Sequence, residues 1–192
     1  MKAELLTIGD ELLIGQTTNT NAAWLGRRLS ALGVRVGRTV TVSDTRAAIQ
    51  QALDRAYAEA RLVVCTGGLG PTHDDITREV VGAYFDAPLE TDEDLLARVR
   101  RYYTRRGRDM PDTAPRLAQV PDGFAPLENP VGAAVGLWHE ADDGRRIALL
   151  PGIPDEMPSI FDASVEPRLT AQPGIGELHH RTLVTAGIAE TQ

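Results

Sequence analysis

Hydrophobic positions along the chain alternate between two rhythms. Residues 3–8 form a short apolar run stopped by Gly9, residues 34–42 are rich in Val and Thr, and residues 62–66 are apolar with little alternation. Each reads as a strand, the last one covered on both faces. Between them lie stretches with helical spacing. Trp24, Leu25, Leu29 and Leu32 make a stripe within residues 19–32, where Asn and Thr offer caps at the start and Gly33 ends the helix. Ser43 and Asp44 stand where a cap is needed for the next helix, which puts Ile49, Leu53, Ala56 and Tyr57 on one face. A third helix is expected over residues 76–85 and a fourth over 91–106. The fourth has Leu95, Leu96, Val99, Tyr102 and Tyr103 inward, and Arg98, Arg100, Arg101, Arg105, Arg106 and Arg108 on a solvated face.

Strand–helix alternation predicts an α/β layer fold with a mainly parallel sheet. Beyond Pro111 the pattern changes. Residues 134–139 and 146–150 flank Asp142-Asp143-Gly144, which predicts a hairpin adding antiparallel character. Pro151-Gly152-Ile153-Pro154 ends its second strand, and Asp155 is placed to cap a helix through Phe161. Residues 172–177 read as loop, and residues 181–192 as the opening of another element. No repeat or low-complexity segment interrupts the chain.

The length of 192 residues, with 42% hydrophobic and 24% charged residues, is that of an ordinary globular domain. Twenty basic residues, all arginine except Lys2, stand against 27 acidic ones, for a net charge of −7. That balance argues against nonspecific binding to nucleic acid or an anionic membrane. Cys65 is the sole cysteine, so no intrachain disulfide forms and a cytoplasmic location is expected. Asp10 and Glu11 precede any long apolar run, which speaks against a secretory signal.

In an open parallel sheet, ligands bind beyond the carboxyl ends of the strands. Here those ends carry Gly9-Asp10-Glu11, Ser43-Asp44 and the segment from Thr66 to Thr77, with the Asn129-Pro130-Val131-Gly132 and Pro151–Pro154 loops expected at the same edge. Gly67, Gly68 and Gly70 before a helix start suit a phosphate, because backbone N–H groups approach unhindered and the helix end is positive. On that reading, Gly68→Val impairs ligand binding more than folding. The loop is neither a Walker A nor a Rossmann motif; the competing explanation is a plain turn capped by Asp75 or Thr77. Asp74-Asp75 beside a phosphate loop makes sense if a divalent cation lies between them. Asp10 and Glu11 could hold metal-bound water or a ribose hydroxyl, or cap a loop. Asp44 reads as a helix cap, His73 as a solvated loop residue and Cys65 as a small core residue; His139, His179 and His180 have no supporting partners in the sequence.

Thr66-Gly67-Gly68-x-Gly70 with Asp75-x-Thr77 resembles the signature loop of the molybdopterin-binding, MoaB/MogA-like fold. With Gly9-Asp10-Glu11, Asn129-Pro130, Gly132, Gly136 and Leu150-Pro151-Gly152-x-Pro154-x-Glu156-Met157, residues 1 to about 170 resemble the N-terminal domain of the CinA competence/damage-inducible family. The resemblance implies a three-layer α/β/α sandwich with a mixed sheet over residues 1–170, followed at 171–192 by a linker and the truncated start of a further domain. It also implies a metal-dependent ADP-ribose pyrophosphatase, which forms AMP and ribose 5-phosphate. On that expectation Asp75, Asp74, Asp10 and Glu11 are catalytic, and Asp75 and Asp74 hold Mg²⁺, Mn²⁺ or Co²⁺. Thr66, Gly67, Gly68, Gly70, Thr72, Thr77, Asn129, Gly152 and Pro154 bind substrate or phosphate. The partner is a nucleotide-type small molecule, with a homo-oligomer left open. The alternative is a nucleotide- or molybdopterin-binding module without turnover. Two departures matter. Nothing resembling the family's C-terminal deamidase domain is present, so the chain is expected to be a fragment or a short relative. Pterin-handling relatives place a basic residue before the loop aspartate, where this chain has Asp74.

Overall fold

The structure, a computed structural model, describes residues 1–176. The expectations for His179, His180 and residues 181–192 therefore lie outside the described residues. Six strands form the main sheet in the order β2-β1-β3-β8-β7-β6. They are β1 (Lys2–Ile8), β2 (Arg35–Val42), β3 (Leu62–Thr66), β6 (Ala125–Leu127), β7 (Gly136–Glu140) and β8 (Arg146–Leu150). β2, β1, β3 and β8 are parallel neighbours, and β7 and β6 add antiparallel pairs.

Strand alternation sorts the core into two layers. Val63 and Cys65 of β3 face one cluster, and Leu62 and Val64 face the other. The first cluster packs Ile49, Leu53 and Ala56 of α3 (Arg46–Glu59) and Val80 and Val81 of α4 (Thr77–Tyr84) against Leu6, Ile8, Leu137, Ile147 and Leu149. The second packs Leu25 and Leu29 of α2 (Thr20–Ala31) with the C-terminal helical segment against Leu5, Ala148 and Leu150. Helices on both faces of a mixed, mainly parallel sheet make this the expected three-layer sandwich.

Several local expectations are corrected. Residues 10–13 form a one-turn helix, α1 (Asp10–Leu13), which the polar sequence does not signal. The fourth expected helix, α5 (Glu93–Arg105), belongs to a small insertion with its own two-stranded sheet, β4 (Leu89–Thr91) with β5 (Gln119–Pro121), a 3-10 turn at Ala114–Ala118, and a minor core of Val99, Ala114 and Leu117. Strands of three residues are too short to show a period. Arg98 does not stay on the solvated face: it donates to the Asn129 carbonyl. Thr45 caps α3 by accepting from the Ala48 N–H, not Ser43 or Asp44. The last helix continues past Phe161 as α6 (Met157–Ile160), a π-turn at Phe161–Val165 and α7 (Glu166–Thr170), and Asp155 does not cap it. No helix among the described residues is long and apolar enough to cross a membrane.

Leu149 lies at the centre of the sheet with no exposure, between Cys65 and Leu137. Leu149→Ala should cost about 2–5 kcal/mol. Urea denaturation should show a lower midpoint with an unchanged slope.

Candidate functional site

β1 lies between β2 and β3, so the chain leaves its carboxyl end on one side and returns on the other. That is the topological switch point, where open α/β sheets bind ligands. A cleft of about 870 Å³ occupies this position. Its walls come from the ends of β1 (Gly9 to Leu12), β2 (Asp44, Thr45), β3 (Thr66 to Gly70) and β8 (Pro151 to Pro154), with residues 17–21 at the start of α2.

The glycine loop is held at both ends. The Gly67 N–H donates to the Leu150 carbonyl (3.1 Å), and the Thr77 N–H and hydroxyl donate to the carbonyls of Gly68 (3.2 Å) and Gly67 (2.9 Å). Gly67 has φ +108°, and a Cβ there would collide with the Ile8 carbonyl; Gly68 has φ +65°, and a Cβ would collide with the Thr77 hydroxyl. Both glycines are therefore required by packing, so Gly68→Val is expected to disturb folding as well as any ligand binding. The N–H groups of Gly68, Leu69 and Gly70, by contrast, donate to no partner among the described residues. All three residues line the cleft.

Neither Asp75 nor Thr77 caps α4, whose N-terminus has no side-chain cap. Asp75 instead closes the loop: its Oδ2 accepts from the Thr72 N–H (2.9 Å) and hydroxyl (2.6 Å). Oδ1 has no hydrogen-bond partner among the described residues. Asp74 is exposed beside His73, at 3.2 Å. Behind the loop, Arg78 donates to the Leu69 carbonyl (3.2 Å), and Arg116 of the insertion donates to the carbonyls of Thr72 and Asp75. Burial pushes the Arg78 guanidinium down to about 10, aided by the Arg116 charge and opposed by Asp75.

Asp10, Glu11 and Asp44 form an acidic wall with Asp74 and Asp75. Asp44 accepts the Asp10 N–H at 3.0 Å, so it caps α1 rather than the helix that follows it. Burial, and the charges of Asp10, Glu11 and Asp75, raise its carboxyl above the usual value, while the Asp10 N–H works against the rise. Among the described residues, no three His, Cys, Asp or Glu side chains converge as a ready-made metal cage. The donor set instead fits a cation such as Mg²⁺, which takes one or two carboxylates and completes its shell with phosphate oxygens and water.

Of the remaining expected residues, Thr66, Gly152 and Pro154 line the cleft, whereas Thr72, Thr77 and Asn129 do not. The Thr66 hydroxyl donates to the Pro151 carbonyl (2.9 Å) and accepts from Asn21 (3.1 Å), which also donates to the Gly152 carbonyl (2.8 Å). These bonds tie β3, α2 and the 151–154 loop together. Buried Asn129 organises the next loop: it accepts from the N–H groups of Val131 (2.9 Å) and Gly132 (2.8 Å), and donates to the Ala134 carbonyl (2.7 Å) and Glu156 (2.6 Å). Sequence reasoning missed Asn21, Arg78 and Arg116. The last two left no local signal, since an arginine after a helix start or in a loop reads as solvated.

A family profile described as "Probable molybdopterin binding domain" matches residues 4–171. A MoaB structure from Thermus thermophilus shares the fold at TM-score 0.59 and 18% identity, covering 88% of this chain and 92% of that one. A crystal structure from Thermoplasma acidophilum, described as "the protein CinA with unknown function", aligns at TM-score 0.79 and 37% identity over 86% of this chain and 96% of that one. A "CinA-like protein" of Salinibacter ruber is 74% identical over the whole chain, which spans 46% of that relative's length. The chain belongs to the molybdopterin-binding domain family and, within it, to the CinA proteins.

Two outcomes follow from this geometry. Asp44→Asn keeps an acceptor for the Asp10 N–H and removes a disfavoured charge. A raised carboxyl penalises the folded state above its folded pKa, and the penalty vanishes as pH falls to the unfolded value of 3.8. Thermal scans should show Asp44→Asn more stable than wild type at pH 7, with the gap closing toward pH 4. Asn129→Ala strands buried partners, including Glu156, and should cost about 2–4 kcal/mol by chemical denaturation.

Proposed function

We propose that this cleft hydrolyses a nucleoside diphosphate sugar, with ADP-ribose as the substrate split into AMP and ribose 5-phosphate. The observation that carries the reading is the run of three consecutive N–H groups without partners among the described residues, at Gly68, Leu69 and Gly70, in a cleft also lined by Asp10, Glu11, Asp44, Asp74 and Asp75. Backbone donors at a helix start suit phosphate oxygens. Carboxylates beside them suit a phosphate only with a cation present.

In this reading the loop N–H groups bind and orient one phosphate. Asp75, through the Oδ1 left open by the Thr72 contacts, and Asp74 would hold the divalent ion, Mg²⁺, Mn²⁺ or Co²⁺. When bound, the ion supplies charge neutralisation on the phosphate oxygens. Asp10 and Glu11, which line the same cleft, would orient a water and accept its proton. A second reading, a nucleotide- or molybdopterin-binding module without turnover, is favoured by one observation: no three potential ligands converge among the described residues. The domain is expected to act in the cytoplasm on a small molecule.

The deciding experiment measures ADP-ribose cleavage with each divalent ion and with EDTA. Asp75→Asn retains an oxygen for the Thr72 contacts, so its melting temperature should stay near wild type. Its metal-dependent hydrolysis should fall at least about a hundredfold, ~2.7 kcal/mol of barrier. Asp74→Asn should be milder. Near-wild-type turnover in Asp75→Asn would sink the metal assignment, and no turnover in wild type with any of the ions favours the binding module.

A further inference from the structure

Arg78 and Arg116 reach the back of the glycine loop from two separate elements, the first turn of α4 and the 3-10 turn of the insertion. A loop that turns N–H groups toward a ligand must turn carbonyls elsewhere, and these need donors of their own. Three such carbonyls, of Leu69, Thr72 and Asp75, are met by the two guanidiniums. Arg78 is only 3% exposed, and its Nε–H has no partner among the described residues. The Asp75 charge opposes the fall in the Arg78 pKa, and the Asp75 carboxylate bonds both go to Thr72. Two guanidiniums thus bond the carbonyls of the loop whose N–H groups at Gly68, Leu69 and Gly70 have no partner among the described residues. The start of α4 adds to the same sign. A buried charge without full compensation is costly, and an anion on the cleft side of the loop removes that cost.

We propose that Arg78 and Arg116 are positioning residues that make the loop a phosphate monoester site needing no metal, whereas the acidic wall requires a cation before a second phosphate can sit there. This rests on the reading of the cleft as a nucleoside diphosphate site, and it divides that site in two. One phosphate belongs to the arginine-backed loop. The other belongs to the wall of Asp10, Glu11 and Asp44, beside the ion that Asp74 and Asp75 would hold.

The test titrates AMP and adenosine calorimetrically into the whole chain with EDTA present. AMP should bind and adenosine should not. Arg116→Met should raise the AMP Kd at least about tenfold, ~1.4 kcal/mol, with the far-UV spectrum retained. Arg116→Lys should recover part of the loss, because it restores charge but not the fork of donors. Arg101→Met, on the exposed face of α5, should bind AMP like wild type. If Arg116→Met fails to fold, Arg116→Gln, which keeps a donor but no charge, should still lose at least fivefold. The proposal is overturned if AMP binds only with a divalent ion, if adenosine binds as tightly as AMP, if Arg116→Met matches wild type, or if Arg101→Met weakens binding equally. ADP-ribose cleavage measured in parallel separates the two readings. Metal-free AMP binding without any cleavage removes the hydrolase alone; metal-dependent cleavage without metal-free AMP binding removes the arginine proposal alone.

Discussion

Everything at the sheet's carboxyl edge depends on how closely Gly67 passes the end of β1. Its Cα lies where any Cβ would strike the Ile8 carbonyl, while its N–H closes on the Leu150 carbonyl of β8. Three parallel strands thus converge on one residue without a side chain. From that point the loop must rise away from the sheet, and Thr77 pins its far end back onto the Gly67 and Gly68 carbonyls. The result is a short arch whose central N–H groups are left for something other than the described protein. A bulkier residue at this point would separate β1 from β3 and spoil the cleft and the core together.

The arch is supported from three directions, each by a different kind of force. Below it lies the apolar packing of Leu69 and Val80 in the core cluster beneath α3 and α4. Beside it, Asn21 and Thr66 link α2 to the 151–154 loop by hydrogen bonds buried from water, where such bonds are costly to leave unmade. Behind it stand the arginines. Arg116 also joins the small insertion to the site, as Arg98 does through Asn129. The insertion has only a small core of its own, and Val120 and Leu95 packed on the main cluster hold it in place together with these guanidinium contacts.

The cleft combines two opposed electrostatic surfaces. The loop side offers N–H groups, a helix start, the buried Arg78 guanidinium and the half-buried one of Arg116. The other side gathers carboxylates whose charges, added to burial, hold the Asp44 carboxyl above its usual pKa. On the proposed function, the ligand is a pyrophosphate with one phosphate on the loop and a cation between the other and the carboxylates.

Much of this was legible in the sequence. The parallel strands, the helices on both faces, the hairpin at Asp142-Asp143-Gly144 and the family resemblance all rest on local periodicity or contiguous motifs, which one stretch of chain can declare. Gly67, Gly68 and Gly70 were likewise identifiable, because glycine spacing reports a backbone requirement directly. What only the tertiary structure decided is which polar groups face one another. Asp44 looked like a cap for its own helix and instead holds the Asp10 N–H; Asp75, expected as a metal ligand with a helix cap as the competing explanation, closes a loop on Thr72; Asn129 looked like a ligand contact and is a buried hub for Gly132 and Glu156. Arg78 and Arg116 are 38 residues apart in the chain and meet only because α4 and the insertion pack on the same loop. Hydrogen-bond partners of short polar side chains depend on approach distances of a few tenths of an ångström, and those are set by the packing of distant segments rather than by neighbours in sequence.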